Sequence, residues 1–383
     1  MPTANIAARL GSEIPISGLH LEAAKRHQLL WVNISAMKKI PAFFLLVLWT
    51  ASVMGQDEPR FPPMPAAVSS NAVASLKGGF QIFSLMGVGP KKNWDDVTNQ
   101  MYIMTMTHTG KWSKGRSIPG PVGRLNAAAD GAKGLVVLMG GYVVDNQGLE
   151  LTVPDVNVYE PGARRWSRGK DIPVAVDSAV AGVTRNRYIY LIGGRSRSGP
   201  VNNVQLYDLE RDSWSQATPF PGTPVFGLSG GVADETIVIV DGAKAGPAGG
   251  PKYVASDECW LGKIEKKDPN KIEWSKLPAH PGAARFAIAS GGSNHDHKIF
   301  FSGGTPTPHD YKGRAYEGEP TEASAVTFAY DVHHHQWETI SNDTSDPRAD
   351  SRGIVFTPIG PLVIGGMAKN LAATAAVTQL PQK

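Results

Sequence analysis

The chain contains one cysteine, Cys259, in 383 residues. No intramolecular disulfide is possible, and cysteine-type zinc sites are excluded, so a large apolar core must hold the fold. A basic surplus is missing where it would matter. The formal charge is +4, from 38 Lys+Arg against 34 Asp+Glu, but residues 1–55 hold five of the basic and two of the acidic residues. The rest carries 33 against 32, a net of +1, and a nucleic-acid partner is not expected. No Gly-rich phosphate loop and no Ser/His/Asp motif is apparent, so no cofactor is expected. What is abundant is Gly (42) and Pro (29), spread throughout between short apolar runs. With 42% hydrophobic and 19% charged residues, that pattern predicts many strands and turns around a sizeable core.

The N-terminal region reads as an address. Met37-Lys38-Lys39 precedes an apolar stretch from Ile40 to Trp49, and Thr50-Ala51-Ser52-Val53-Met54-Gly55 is a small-residue exit. The stretch is too short to span a bilayer comfortably and matches a signal peptide over 37–55, cleaved after Gly55. Residues 1–36 are expected to be a gene-model extension before a true start at Met37. The mature protein is then expected to be exported, periplasmic or secreted, without a membrane span.

Residues 56–383 repeat themselves. One unit runs Leu135-Val136-Val137-Leu138-Met139-Gly140-Gly141, then Val156-Asn157-Val158-Tyr159, then Trp166. The next has Gly193-Gly194, Tyr207 and Trp214, and a later one has Gly303-Gly304, Tyr330 and Trp337. Gly365-Gly366 marks a fourth. Two degenerate copies fit around Asp241-Gly242 with Trp274, and around Met86-Gly87 with Trp112. This resembles the kelch motif, and the resemblance implies an all-β, six-bladed kelch-type β-propeller. Glycines permit the sharp turn that ends each second strand, and Tyr and Trp fill the wedge between blades. The last blade lacks a Trp strand. Phe61-Pro62-Pro63-Met64-Pro65 resembles Ser117-Ile118-Pro119, so an N-terminal strand is expected to close the ring.

Site residues are sought in loops at the channel mouth. Arg124, Arg285 and Arg352 each stand just before the first strand of a blade. Converging copies would suit a substrate carboxylate, while the alternative is structural arginines bonding blade carbonyls. The loop from His309 to Glu319 adds Tyr311, Arg314, Tyr316 and Glu319, a mixture suited to a polyhydroxylated ligand. The order of features resembles the bacterial N-acetylneuraminate mutarotase (epimerase) family of exported six-bladed kelch propellers. That family has a loop like Tyr-x-Asn-Gly-Lys-x-Tyr-x-His-Glu, onto which Tyr311, Gly313, Arg314, Tyr316 and Glu319 fall with one residue deleted. The resemblance implies a small sugar-acid substrate, with Glu319 or Asp241 as the general acid/base and Arg124 and Arg352 on the carboxylate. It also shows departures: Ala243 stands where the family carries a glutamate, Lys252 is the nearest cation to a missing arginine, and the long third-blade insertion is reduced to Arg195–Asn203. A non-catalytic secreted glycan- or protein-binding propeller is the rival reading. The oligomeric state is not legible. His333-His334-His335 lies at an expected hairpin turn, where consecutive side chains diverge, and no metal site is expected there.

Overall fold

The computed structural model describes residues 61–381, apart from 107–109, 121, 317–320 and 343–345. The expected signal segment over 37–55 and the expected extension over 1–36 lie outside the described residues. No helix among the described residues is long and apolar enough to cross a membrane.

The chain folds as a six-bladed kelch-type β-propeller. Blades 1 to 5 are four-stranded antiparallel sheets spanning 72–114, 128–169, 180–217, 229–276 and 289–341. Blade 6 has three strands, Ile354–Thr357, Gly360–Ile364 and Val377–Gln379. The inner strands neighbour one another in order around the axis, and that of blade 6 lies beside Ala72–Leu76 of blade 1. The second strands are almost entirely buried: Leu135–Met139, Tyr188–Ile192, Thr236–Val240 and Lys298–Ser302 are apolar runs sandwiched between neighbouring blades. Continuous rather than alternating hydrophobicity is what burial on both faces demands.

The repeat signature has a direct steric cause. Gly140 and Gly141 end the second strand of blade 2 at φ +61° and +90°. A Cβ on Gly140 would lie 2.3 Å from the carbonyl oxygen of Val176, and one on Gly141 would lie 2.7 Å from that of Leu125. The Tyr and Trp of the motif are cross-strand partners, Tyr159–Trp166 and Tyr207–Trp214, with ring centroids 4.9 Å apart in both pairs. Each Trp Nε1–H then donates to a carbonyl in the segment trailing the previous blade. Trp166 reaches Arg116 at 3.0 Å, Trp214 reaches Lys170 at 2.8 Å, Trp274 reaches Thr218 at 3.1 Å and Trp337 reaches Pro278 at 3.0 Å.

Trp112 makes the same bond to Pro62, at 3.0 Å. Two residues beyond each acceptor stands a buried side chain before a proline: Ile118, Ile172, Phe220, His280 and, in the N-terminal segment, Met64. Residues 61–65 therefore occupy the place of the segment that would trail blade 6. Phe61 and Met64 pack with Leu362, Ile364 and Val377, and Met64 N–H donates to Ala375 at 2.7 Å. The segment supplies this corner without forming a regular fourth strand.

Candidate functional site at the channel mouth

At the Gly-Gly end of the channel, each chain segment turns inward through one left-handed residue: Ser70, Asn126, Ser178, Gly227, Ala287 and Asp350, with φ between +49° and +59°. Their backbones hydrogen-bond from blade to blade. Ser70 N–H donates to Asp350, Asn126 to Ser70, Ser178 to Asn126, Gly227 to Ser178 and Ala287 to Gly227, at 2.9–3.2 Å. This collar draws the segments together around the axis. Below it lies a channel of about 340 Å³, walled mainly by Ala, Gly, Ser and Val of the inner strands.

The residue preceding the collar's bridge position is Arg124 in blade 2, Arg285 in blade 5 and Arg348 in blade 6, since Leu125, Phe286 and Ala349 pair with the residue following each Gly-Gly. The expected equivalence of Arg352 with Arg124 is thus corrected to Arg348. Arg352 stands three residues beyond the bridging Ala349, in a stretch that holds one extra residue, as the offset between the pairings Ala349–Met367 and Ile354–Val363 shows.

These arginines point into their blades. Arg124 donates to the carbonyls of Gly140 and Asp155 at 3.0 and 2.9 Å and to Asn157 Oδ1 at 2.6 Å. Burial lowers its pKa to about 10, against the attraction of Asp155. Arg348 is clamped on Asp346 and Thr378. Arg285 donates to Ser324 Oγ at 2.8 Å and lies over the Phe328 ring at 5.4 Å. Arg352 lines the channel below the collar, 3.8 Å from Asp350 Oδ1.

Asp241 occupies the first position of blade 4's degenerate Gly-Gly pair, at φ +59°. It is 2% exposed. Its oxygens meet His280 Nε2 at 2.9 and 3.0 Å and the Arg285 N–H at 2.8 Å. In blade 2 a Cβ on Gly140 would lie 3.2 Å from Ile172 Cδ1, so His280 and Asp241 replace an Ile/Gly pair with a buried polar one. That engagement leaves Asp241 as a structural group. Glu319 lies outside the described residues.

The fifth-blade loop crosses the mouth above the collar. Asp310 Oδ1 accepts from the Lys312 and Arg314 N–H groups at 2.9 and 3.0 Å and folds the tip back, and His309 bridges Ala315. Tyr311, 5% exposed, enters an apolar cluster with Val88, Leu125, Tyr142 and Val144 from blades 1 and 2. Lys92 of blade 1 holds the loop by donating to the Lys312 carbonyl at 3.3 Å. Arg314 is exposed at the rim. Tyr316 returns to blade 4, 5.0 Å from the Tyr253 ring and 6.4 Å from that of Phe226. Ala243 is fully buried beneath these aromatics with Phe226 and Phe286.

Under this loop sits a charged group that the sequence reading did not single out. Arg195, the residue after the third blade's Gly-Gly, pairs with Glu150 at 2.6 Å and Asp177 at 3.2 Å. Its guanidinium also lies over the rings of Tyr142 and Phe226, at 5.2 and 5.4 Å. Burial opposes its charge, but Asp177 and Glu150 outweigh burial and hold it above its ordinary value. Asp177 is fixed by Thr152 and Ser178 hydroxyls at 2.8 and 2.9 Å. Burial, with Asp177 and Asp310 nearby, lifts Glu150 above the usual carboxylate range against the pull of Arg195. Burial likewise raises Tyr316, while Arg195 pulls the other way. Lys252 lies 6.0 Å from the Tyr316 ring centroid. The structure therefore brings Tyr311, Arg314 and Tyr316 to one mouth and leaves Arg124, Arg285, Arg352 and Asp241 in the walls. The available signal for Arg195 was its place directly after Gly-Gly, where Tyr142 also stands.

The kelch motif family matches residues 178–221, blade 3 with its flanks. Kelch-like protein 34 of Homo sapiens is 32% identical over 132 residues, covering 34% of this chain and 19% of that protein. Kelch-like protein 15 of Gallus gallus is 29% identical over 107 residues, covering 28% and 22%. The chain thus spans about a fifth of the length of these curated relatives. Among solved structures, the structure of YjhT aligns with a TM-score of 0.66 at 17% identity, covering 83% of this chain and 95% of that one, a likeness of fold. Repeat, relatives and blade geometry agree that this chain is a kelch-type six-bladed β-propeller.

Proposed function

We propose that the protein is an exported sugar-acid mutarotase-like propeller acting at the channel mouth, with sialic acid the substrate to test first. The observation that carries this is Glu150, a carboxylate whose proton affinity is raised by burial beside Arg195 and under the tyrosine-bearing loop. Mutarotation of a cyclic hemiketal needs a proton taken from the anomeric hydroxyl and one delivered to the ring oxygen. The ring C–O bond then breaks to the open ketone and re-forms on either face. A carboxylic acid with a raised pKa serves both directions at neutral pH. Arg195 and Asp177 position Glu150, Tyr253 and Tyr316 offer faces for the sugar, and Arg314 and Lys252 at the rim suit its carboxylate.

The test is anomer exchange followed by NMR after dissolving a single sialic acid anomer. The wild-type chain is expected to accelerate exchange over buffer, and Glu150→Gln to lose about a hundredfold or more. Exchange at the buffer rate with wild type overturns catalysis. Ala243, in place of the related family's glutamate, favours the second reading: a non-catalytic glycan-binding propeller using the same mouth. Saturable sugar binding without exchange selects it. Export is tested by N-terminal sequencing of the protein from its native host, expected to begin after Gly55.

A further inference from the structure

At the end of the propeller opposite the collar, one corner gathers histidines. Five of the chain's ten, His295, His297 and His333–335, fall in two turns of blade 5. Asp234 stands between Ser229–Ala233 and Thr236–Val240 of blade 4, and His297 between Ala289–Ser293 and Lys298–Ser302 of blade 5. His333 lies in the hairpin between Thr327–Asp331 and Gln336–Ser341. Three turns distant in sequence thus converge. His297 Nδ1 bonds Asp234 Oδ2, and His333 Nε2 lies 3.2 Å from the same oxygen. The two imidazoles stack with centroids 3.9 Å apart. One donor atom from each of the three lies within 4.8 Å of the others. The backbone fixes the corner, because Asp234 N–H donates to Asn294 Oδ1 of blade 5 at 3.0 Å. All three side chains remain open to solvent, at 30%, 44% and 54% for Asp234, His297 and His333.

We propose that Asp234, His297 and His333 form a site for a divalent transition-metal ion, pinning blade 4 to blade 5. Two imidazole nitrogens and one carboxylate suit Zn²⁺, Cu²⁺ or Ni²⁺, whereas Ca²⁺ and Mg²⁺ select all-oxygen sets. Bonds of about 2.0–2.2 Å require donors about 3.3 Å apart, close to the 3.2 Å between His333 Nε2 and Asp234 Oδ2. Without metal, two ring nitrogens compete for one carboxylate oxygen, and at least one must carry a proton to bond it. A metal ion takes the place of that proton and satisfies all three donors. The adjacent histidines diverge within these turns: His334 turns back to Asp331 at 3.0 Å, and His295 to Asp296 at 3.1 Å. Three protein ligands leave a coordination position for water.

The experiment is calorimetric titration of Zn²⁺ into the chain purified without a polyhistidine tag, alongside thermal unfolding. One equivalent is expected to bind at micromolar affinity and raise the Tm. Asp234→Asn and His333→Gln should each weaken that binding by about tenfold or more. His334→Gln and His335→Gln should leave it unchanged. All four positions are in exposed turns, and unaltered Tm without metal certifies the folds. Stoichiometry that falls equally with His334→Gln, or affinity indifferent to Asp234→Asn, reduces the corner to a nonspecific histidine surface and overturns the site. No binding at millimolar Zn²⁺ does the same.

Discussion

The buried Asp241–His280 pair makes a prediction whose size follows from the repeat itself. In blade 2 the same two places are Gly140 and Ile172. His280→Ile restores the apolar member but strands the Asp241 carboxylate, 2% exposed, with only the Arg285 N–H at 2.8 Å. Removing the partner of a buried carboxylate costs about 3–5 kcal/mol. Asp241→Gly instead leaves an imidazole nitrogen without its partner, a loss of about 1–3 kcal/mol. Relief of the left-handed backbone at φ +59°, worth about 1 kcal/mol, offsets part of that. The double variant rebuilds the blade 2 arrangement and should stay within about 1 kcal/mol of wild type, since well-packed apolar replacements of buried ion pairs are often neutral. The cycle therefore predicts a coupling of at least about 2 kcal/mol. Urea unfolding at pH 7, followed by Trp fluorescence with m-values checked for constancy, measures all three. Additive single effects, or a His280→Ile variant within about 0.5 kcal/mol of wild type, would refute the pairing as the reason for these residues.

Two further outcomes follow from the fold. Asp130 faces the narrow channel, and burial raises its pKa to about 6 although Gly131 N–H pulls it down. The unfolded chain ionises near 3.8, so the folded state loses stability as pH rises from there to about 6, by at most about 3 kcal/mol. Asp130→Asn should then stabilise at pH 7 and be neutral below pH 4 (about the unfolded value); Tm measured across that range checks the sign, and an equal effect at both ends refutes it. Met64→Ala should cost about 2–4 kcal/mol, matching Ile172→Ala, because both fill the place beneath a Trp-bonded corner. A loss under about 1 kcal/mol in chemical denaturation means residues 61–65 do not hold blades 6 and 1 together.

The architecture was legible because its signature is steric and local. Gly140-Gly141, Tyr159 and Trp166 are each set by contacts within a blade or with its flanking segments, so the pattern recurs wherever a blade recurs. Even the N-terminal segment shows itself, since Met64-Pro65 repeats Ile118-Pro119. What failed to show was register across a defect. Arg352 stands two residues before its strand, whereas Arg124 and Arg285 stand four before theirs, and only the Ala349–Met367 bridge identifies Arg348 at the arginine position. Nor could spacing reveal that Asp241 meets His280, 39 residues on, or that Asp234 meets His297 and His333 across a blade boundary.

The charged group at the mouth was hidden for a related reason. Its three members come from places where the repeat imposes nothing: Glu150 from the hairpin Tyr142–Val144 with Glu150–Thr152, Arg195 from the shortened third-blade insertion, and Asp177 from the bridge position that is Leu125 in blade 2 and Phe286 in blade 5. The strands fix how those loops are presented but not what they carry. Side chains that depart from the repeat at equivalent positions are therefore the informative ones. At the position after Gly-Gly, the six blades carry Val88, Tyr142, Arg195, Ala243, Thr305 and Met367, and the single charge among them is the one that meets two carboxylates. A glutamate at 243 would enter the buried aromatic cluster of Phe226 and Phe286, against which Tyr253 packs. In the function proposed above the acid is Glu150 instead, which Arg195 engages at 2.6 Å.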